Sequence, residues 1–222
     1  MPTSAHHLAR ELENLKRNLL HVGKLALEEL SKALEAFRQR DPRLAAEVTA
    51  ADKVLDAKEV RVEEECLRII ALHQPVAQDL RYVASALKIN QLIENTGDTA
   101  VNIAKRTQFL ASRPPLPVEV DVAGIGARVV EMFDRALQAF VGLDELGAHE
   151  VIEMDNEVDA AYRAVTSKMI EVMEQHSDQV EVALNTMHLV RHLERAADRA
   201  TDIAEQVLYI LTGDISRHSE SM

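Results

Sequence analysis

The chain has 222 residues, of which 47% are hydrophobic and 3% aromatic, with only 7 Gly and 6 Pro. This composition excludes a β protein with many turns and favours an all-helical one. The formal charge of −12 at pH 7 disfavours nucleic acid or an anionic lipid surface as the main partner. A single cysteine, Cys66, and the lack of an apolar run of membrane-spanning length predict a soluble cytoplasmic protein without internal disulfides.

Six helices are predicted from apolar residues that recur at steps of three and four. In chain order they cover about residues 8–37, 42–72, 76–110, 123–141, 148–175 and 179–211. Asp41 and Pro42 suit the cap and the first position of the second helix. Asp178 and Glu181 have the spacing of a capping pair at the start of the sixth. The turns between successive helices are short, so neighbours should run antiparallel.

A proline-rich stretch, "SRPPLPVEVD", separates the third and fourth predicted helices. Proline interrupts helices and stiffens linkers, so this stretch is the best candidate for a boundary. We therefore predict a first three-helix bundle over residues 1–112, a connector over 113–122 and a second three-helix bundle over 123–222.

The two halves of the sequence repeat each other. "KALEAFRQRD", ending at Asp41, matches "RALQAFVGLD", ending at Asp144, at an offset of 103 residues (41 to 144). In the third helix of each half the offset becomes 100 residues, with Glu94 matching Glu194. Such a repeat indicates a duplicated structural unit. The predicted fold is therefore all-α, with two pseudo-symmetric antiparallel three-helix bundles.

Each half carries two pairs of acids spaced i and i+4, one on its second helix and one on its third. In a helix this spacing stacks like charges, which weakens it by roughly 0.2–0.5 kcal/mol per pair. The candidate ligands are Asp52, Asp56, Glu94, Asp98 and Asn102 in the first half, and Asp155, Asp159, Glu194, Asp198 and Asp202 in the second. Repulsive pairs at matched positions of a duplication predict a cation between the carboxylates. Oxygen ligands favour a hard ion: magnesium, manganese, calcium or iron.

Two other interpretations remain open at this point. Di-metal oxidases in helical bundles use Glu-x-x-His, and none of the 9 His follows a Glu at that spacing. A metal hydrolase that uses carboxylates alone is not excluded. A purely structural helical adaptor without metal would also fit the pattern, with the acids forming a solvated helix face.

Several motifs of this chain are similar to those of one known family. "LHQPVAQDLR" resembles a Q-P-x-A-x-D-L-R turn, and "ENTGDTAVNIAKR" and "LERAADRATDIAEQ" resemble two E-R-x-x-D-x-A-x-N-I-A segments. "TGDISRH" resembles the closing T-G-[DE]-x-x-R-H signature. All four belong to the PhoU family, regulators of phosphate uptake, and the resemblance covers nearly the whole chain.

The resemblance implies a function that periodicity alone does not give. PhoU proteins are pairs of three-helix bundles, often homodimeric, and are not known as catalysts. They carry metal ions on E(D)-x-x-x-D motifs, often iron, so that iron, manganese, magnesium, calcium or zinc is the implied cofactor here. The implied partners are the ATPase subunit of the phosphate ABC transporter and the sensor histidine kinase of the phosphate two-component system. Contact with the membrane would then occur only through these partners.

This sequence departs from the family pattern at three positions. Asn95 stands where arginine is usual, Leu92 where aspartate is frequent, and Arg199 where histidine is common. In addition, Asn102 brings no charge where its counterpart Asp202 does. We therefore expect the first site to bind metal more weakly than the second.

Overall fold

The computed structural model describes residues 4–214 of the chain, so the end of the predicted closing signature, residues 215–218, lies outside the described residues. The helices are α1 (Ser4–Gln39), α2 (Pro42–His73), α3 (Ala77–Ala111), α4 (Val122–Gly142), α5 (Glu145–Gln175) and α6 (Val180–Thr212), with a short 3-10 helix at Ser177–Gln179. The predicted helix ends differ from these by at most four residues. No helix in this part of the chain combines the length and apolar character needed to cross a membrane.

The turns that join α1 to α2 and α4 to α5 have the same backbone structure. Each contains one residue in the left-handed region, Arg40 with φ 53° and Leu143 with φ 50°. The next residue is an aspartate, Asp41 or Asp144, whose amide donates at 2.9 Å to the carbonyl five residues earlier. Its carboxylate then caps the following helix. The predicted cap at Asp41 is confirmed, and the sequence repeat includes the conformation of the turn.

The capping pair predicted for α6 is wrong. Gln179 is the residue before α6, and no side chain caps the helix there. The reason is the 3-10 helix in front of it, in which the Gln179 amide donates to the His176 carbonyl at 2.9 Å. Glu181 instead lies 3.4 Å from the guanidinium of Arg113.

The six helices form two bundles, α1–α3 and α4–α6, whose buried apolar side chains make one connected core. The apolar stripe of α6 lies inside it, with no exposed surface on Leu193, Ala197 or Ala200. The acids of α6 come one residue later along the helix, at the edge of this buried stripe. The prediction of an all-α fold of two antiparallel three-helix bundles is confirmed.

The first helices of the two bundles, α1 and α4, meet through a reciprocal contact. Leu137 of α4 lies against Gly23, and Leu34 of α1 lies against Gly126. The two pairs are equivalent under the 103-residue offset of the repeat. A Cβ at position 126 would lie 2.6 Å from both terminal carbons of Leu34, and one at position 23 would be closer still to Leu137. A side chain at either position would have to displace the leucine, so glycine favours the close approach of α1 and α4.

The third helices of the bundles, α3 and α6, meet through polar contacts. Arg199 Nη1 donates to Thr99 Oγ1 at 2.6 Å, and these two residues are equivalent under the 100-residue offset. Near the end of α6, the Arg81 guanidinium donates to the Ile210 carbonyl at 2.9 and 3.1 Å. The pseudo-twofold axis thus passes close to Thr99 and Arg199, each of which directly follows a predicted ligand.

Candidate metal centres

The predicted ligands lie in two places, on α2 and α3 in one bundle and on α5 and α6 in the other. We call them the first acidic cluster (Asp52, Asp56, Glu94, Asp98 and Asn102) and the second acidic cluster (Asp155, Asp159, Glu194, Asp198 and Asp202). All ten residues lie within helices and are half-buried or exposed. In each bundle a neighbouring helix brings a second acidic pair near enough to the first for their charges to raise one another's pKa values.

In the first acidic cluster the charges act across the α2–α3 contact. Burial raises the pKa of Asp52, and the charges of Asp56 and Asp98 raise it further. Burial also raises the pKa of Glu94, and the charges of Asp98 and Asp56 add to the effect. A hydrogen bond at 2.7 Å from the Gln91 amide to Glu94 Oε2 acts the other way. Asp52 is therefore near Asp98 and Asp56 is near Glu94, as expected for antiparallel helices.

The second acidic cluster repeats this arrangement. Burial raises the pKa of Asp155 to about 6, with further contributions from Asp198 and Asp159. The pKa of Glu194 is raised by burial and then by the same two aspartates. That of Asp198 is raised by burial and by Asp159 and Asp202. Asp155 thus faces Asp198 and Asp159 faces Glu194, so the duplication preserves the pairing across helices as well as the spacing along each helix.

Basic side chains offset part of this negative charge. Arg163 Nη1 lies 3.0 Å from Asp159 Oδ2, one turn away on α5. Arg191 and Arg195 oppose the rise in the pKa of Glu194, and Arg199 and Arg195 oppose that of Asp198. Burial and Arg195 lower the pKa of Arg199, whereas Asp198 and acids of the first acidic cluster raise it. Arg199 is therefore a half-buried cation that interacts with both clusters.

The acids of each cluster are near one another but do not converge. Within residues 4–214, no group of three or more His, Cys, Asp or Glu side chains is placed to hold one metal ion. Like charges repel one another, so a cation would have to draw the carboxylates together. Two buried carboxylate oxygens in this part of the chain have no hydrogen-bond partner, Glu29 Oε2 and Asp155 Oδ1. Such atoms are unfavourable unless something pairs with them, and oxygen donors suit a hard cation. The residues present therefore fit such an ion.

Glu29 belongs beside the first acidic cluster, although the sequence analysis does not identify it. It lies on α1 with 8% of its surface exposed. Burial raises its pKa to about 7, and the charges of Asp52 and Asp56 contribute to the rise, while Lys32 opposes it.

Two features of the sequence could have identified Glu29. It lies one turn from Ala26 and one turn from Ala33 on the apolar stripe of α1, where a charged residue is unexpected. Under the 103-residue offset its counterpart is Met132, a fully buried apolar residue. An acid that replaces a core methionine in one half of a duplication is a signal of a local function.

Glu59 is a second acid that the sequence analysis does not identify. It follows Asp56 by three residues on α2, and burial, Glu63 and Asp56 raise its pKa. Its Oε1 accepts a hydrogen bond at 2.9 Å from the amide of the buried Asn90. Glu59 therefore links α2 to α3 next to the first acidic cluster. Its spacing of three residues from Asp56 continues the acidic series of α2 and could have revealed it.

Comparison with known proteins identifies the same two units. A family model described as the PhoU domain matches residues 19–107 and again residues 122–207, one match in each bundle. A relative from Aquifex aeolicus (strain VF5), named phosphate-specific transport system accessory protein PhoU homolog, is 36% identical over 211 residues. The matched region covers 95% of this chain and 96% of the relative.

Two solved structures share the fold over nearly their full length. The crystal structure of PhoU from Pseudomonas aeruginosa superposes with a TM-score of 0.89 at 33% identity, covering 93% of this chain and 99% of that one. The crystal structure of the phosphate transport system regulatory protein PhoU from Streptococcus pneumoniae gives a TM-score of 0.86 at 27% identity, covering 95% and 100%. These similarities support the family resemblance that the motifs indicate.

Proposed function

The chain belongs to the PhoU family, and from this premise we propose that it is a cytoplasmic adaptor that restrains phosphate uptake and phosphate-starvation signalling. In this proposal it acts, as a homodimer, by linking the ATPase subunit of the phosphate ABC transporter to the sensor histidine kinase. The observation that carries the proposal is the match of both bundles to the PhoU domain. The relatives are named as accessory or regulatory proteins of phosphate transport, which supports an adaptor rather than an enzyme.

The charge of the chain suggests how such complexes would form. With 37 acidic and 25 basic residues, the protein would meet basic surfaces on its partners. Attraction between such surfaces speeds association and is screened by salt. We therefore expect both complexes to weaken as ionic strength rises.

A pull-down from cells grown in high and in low phosphate tests the adaptor proposal. The tagged full-length chain should recover the transporter, the kinase, or both, and the amounts should change with phosphate. Raising the salt in the wash should reduce recovery. If neither partner is recovered in either condition, the proposal is wrong.

We further propose that each acidic cluster binds a hard cation between two helices: iron, manganese, magnesium, calcium or zinc. The carboxylates of the first acidic cluster would hold one ion, and those of the second would hold another. A bound cation would neutralise the repulsion between the paired acids and so hold the two helices together. Two unpartnered buried oxygens support this proposal, Asp155 Oδ1 in the second acidic cluster and Glu29 Oε2 beside the first.

Replacing Glu194 and Asp198 by alanine tests the metal proposal. Bound metal, measured by elemental analysis of the purified protein, should fall, while helix content by circular dichroism should not, because alanine favours helix and the repulsion is removed. Replacing Glu171 and Glu174, exposed acids near the end of α5, by alanine is the matched control. Equal metal content in all three proteins would contradict the assignment. Metal-free wild type would favour a purely structural adaptor, and turnover of a phosphate ester by the metal-loaded protein would favour a hydrolase.

A further inference from the structure

Glu29 occupies a position that the second bundle fills with an apolar side chain. Its counterpart Met132 is fully buried in the core, and Glu29 itself is 8% exposed on the apolar face of α1. A carboxyl group at such a position is unfavourable unless it is paired, because burial removes its hydration. Packing alone would therefore select an apolar residue here, as it does in the second bundle.

The carboxyl group of Glu29 lies beside the first acidic cluster. Its Oε2 lies 3.6 Å from the place where a side chain at position 97 would begin. Gly97 lies on α3 between Glu94 and Asp98, both predicted ligands. Leu55 of α2 fills the place of the missing side chain, and the Glu29 carboxyl lies beside this contact. On the α2 side the charges of Asp52 and Asp56 act directly on Glu29.

The Glu29 oxygen that lies beside Gly97 is unpartnered. Glu29 Oε2 is buried and has no hydrogen-bond partner within residues 4–214. The cation that acts on the group is Lys32, on the same helix, and its effect on the pKa of Glu29 is smaller than that of burial and of the two aspartates. A carboxylate oxygen with two acidic neighbours and no donor has the surroundings of a cation ligand rather than of a structural hydrogen bond.

We propose that Glu29 is a ligand of a hard divalent cation bound at the first acidic cluster, so that this site draws on α1 as well as α2 and α3. The inference rests on the proposed metal-binding function. It also changes the expectation that the first site binds metal more weakly than the second. That expectation arose because the first acidic cluster has Asn102 at the position equivalent to Asp202 and so lacks a third acid on α3. Glu29 restores that carboxylate from a different helix.

The two sites would then differ in construction. The first would use a buried carboxylate from α1 and would tie all three helices of its bundle together. The second would use Asp202, an exposed acid on the same helix as Glu194 and Asp198, and would link only α5 and α6. Cation binding should therefore stabilise the first bundle as a whole and the second mainly at one helix pair.

Titration with Mn²⁺ tests the inference on the full-length protein after its metals have been removed with a chelator. Free Mn²⁺ is followed by electron paramagnetic resonance for wild type, Glu29→Gln and Glu29→Met. The Glu29→Met variant copies the residue of the second bundle and so provides a form that is expected to fold, with circular dichroism as the check. Both variants should weaken one class of site by about tenfold or more and leave the other unchanged. Asp202→Asn should weaken the other class instead.

The controls separate this inference from the metal proposal itself. Asp56→Asn should weaken the same class of site as Glu29→Gln. Glu28→Gln, an exposed neighbour on α1, should change neither class. If Asp56→Asn loses Mn²⁺ while both Glu29 variants bind it like wild type, the role of Glu29 is refuted and the metal site stands. If wild type binds no Mn²⁺, both proposals fail.

Discussion

The buried carboxyl group of Glu29 makes a prediction about stability and pH. In the metal-free protein its pKa is raised from 4.5 to about 7. Between these values the native state keeps a proton that the unfolded chain has released. The free energy of unfolding therefore falls as pH rises through this interval, and the stabilising contribution present below pH 4.5 is lost above pH 7. The change that isolates this effect is Glu29→Gln, which keeps the shape of the side chain without a titratable group.

The size of this loss of stability follows from the difference between the two pKa values. At about 1.4 kcal/mol for each pH unit, the distance from 4.5 to about 7 corresponds to about 3 kcal/mol. This is a large fraction of the roughly 5–15 kcal/mol that stabilises a typical domain. Below pH 4.5, the free energy of unfolding should thus depend on pH in nearly the same way for wild type and Glu29→Gln. At pH 9 the variant should have gained about 3 kcal/mol relative to wild type.

Urea unfolding, followed by circular dichroism at a series of pH values, measures this difference. Both proteins are kept in chelator, so that no cation pairs with the carboxylates. Glu28→Gln makes the same chemical change at an exposed position of α1 and should follow wild type at every pH. If the curves of wild type and Glu29→Gln run parallel from pH 5 to pH 9, Glu29 does not titrate as its burial requires, and the reasoning is refuted.

Three further predictions concern the contacts that fix the two bundles. Gly23→Ala should lower stability, because overpacking against Leu137 costs about 1–3 kcal/mol and outweighs the gain of about 1 kcal/mol in helix propensity. In a protein that also carries Leu137→Ala the clash is absent, so Gly23→Ala should no longer lower the free energy of unfolding measured in urea. A stabilising Gly23→Ala in the otherwise wild-type chain would contradict the close contact. Asp144→Ala should cost about 1 kcal/mol in thermal unfolding by removing the cap of α5, while Asp144→Asn should retain most of it. Arg199→Met removes the hydrogen bond to Thr99 and a cation between the clusters, so its loss of stability should be larger at pH 8, where the acids are charged, than at pH 5; an equal loss at both would mean that only packing was affected.

The helices and the start of α2 could be predicted because local patterns determine them. Steps of three and four place apolar residues on one face wherever that face is buried, and α1 and α6 keep this pattern over more than thirty residues. Asp41 was recognisable as a cap because its carboxylate acts on amides two and three residues further on. The pairing of acids across α2 and α3, and across α5 and α6, was predictable because the duplication preserves it.

The remaining features depend on what packs against each residue. Asp178 and Glu181 have the spacing of a capping pair, but neither side chain caps α6, because the preceding turn forms its own backbone hydrogen bond from Gln179 to His176. The contact of Gly23 with Leu137 joins helices more than a hundred residues apart, so neither residue signals it alone. Glu29 is the instructive case, since its stripe position predicts burial and its charge predicts exposure. Only the packing of α1 beside the acids of α2 resolves that conflict.

The reciprocal contact between α1 and α4 bears on the history of the chain. Two equivalent leucines, each seated on the glycine of the other half, make an isologous interface of the kind found in twofold-symmetric dimers. A protein of half this length would present the same surface and could pair with a second copy of itself. In such a dimer every residue occurs twice, so an acid at position 29 would have to be accepted in both subunits. Fusion into one polypeptide removes that constraint, and a carboxylate on one side can then coexist with Met132 on the other.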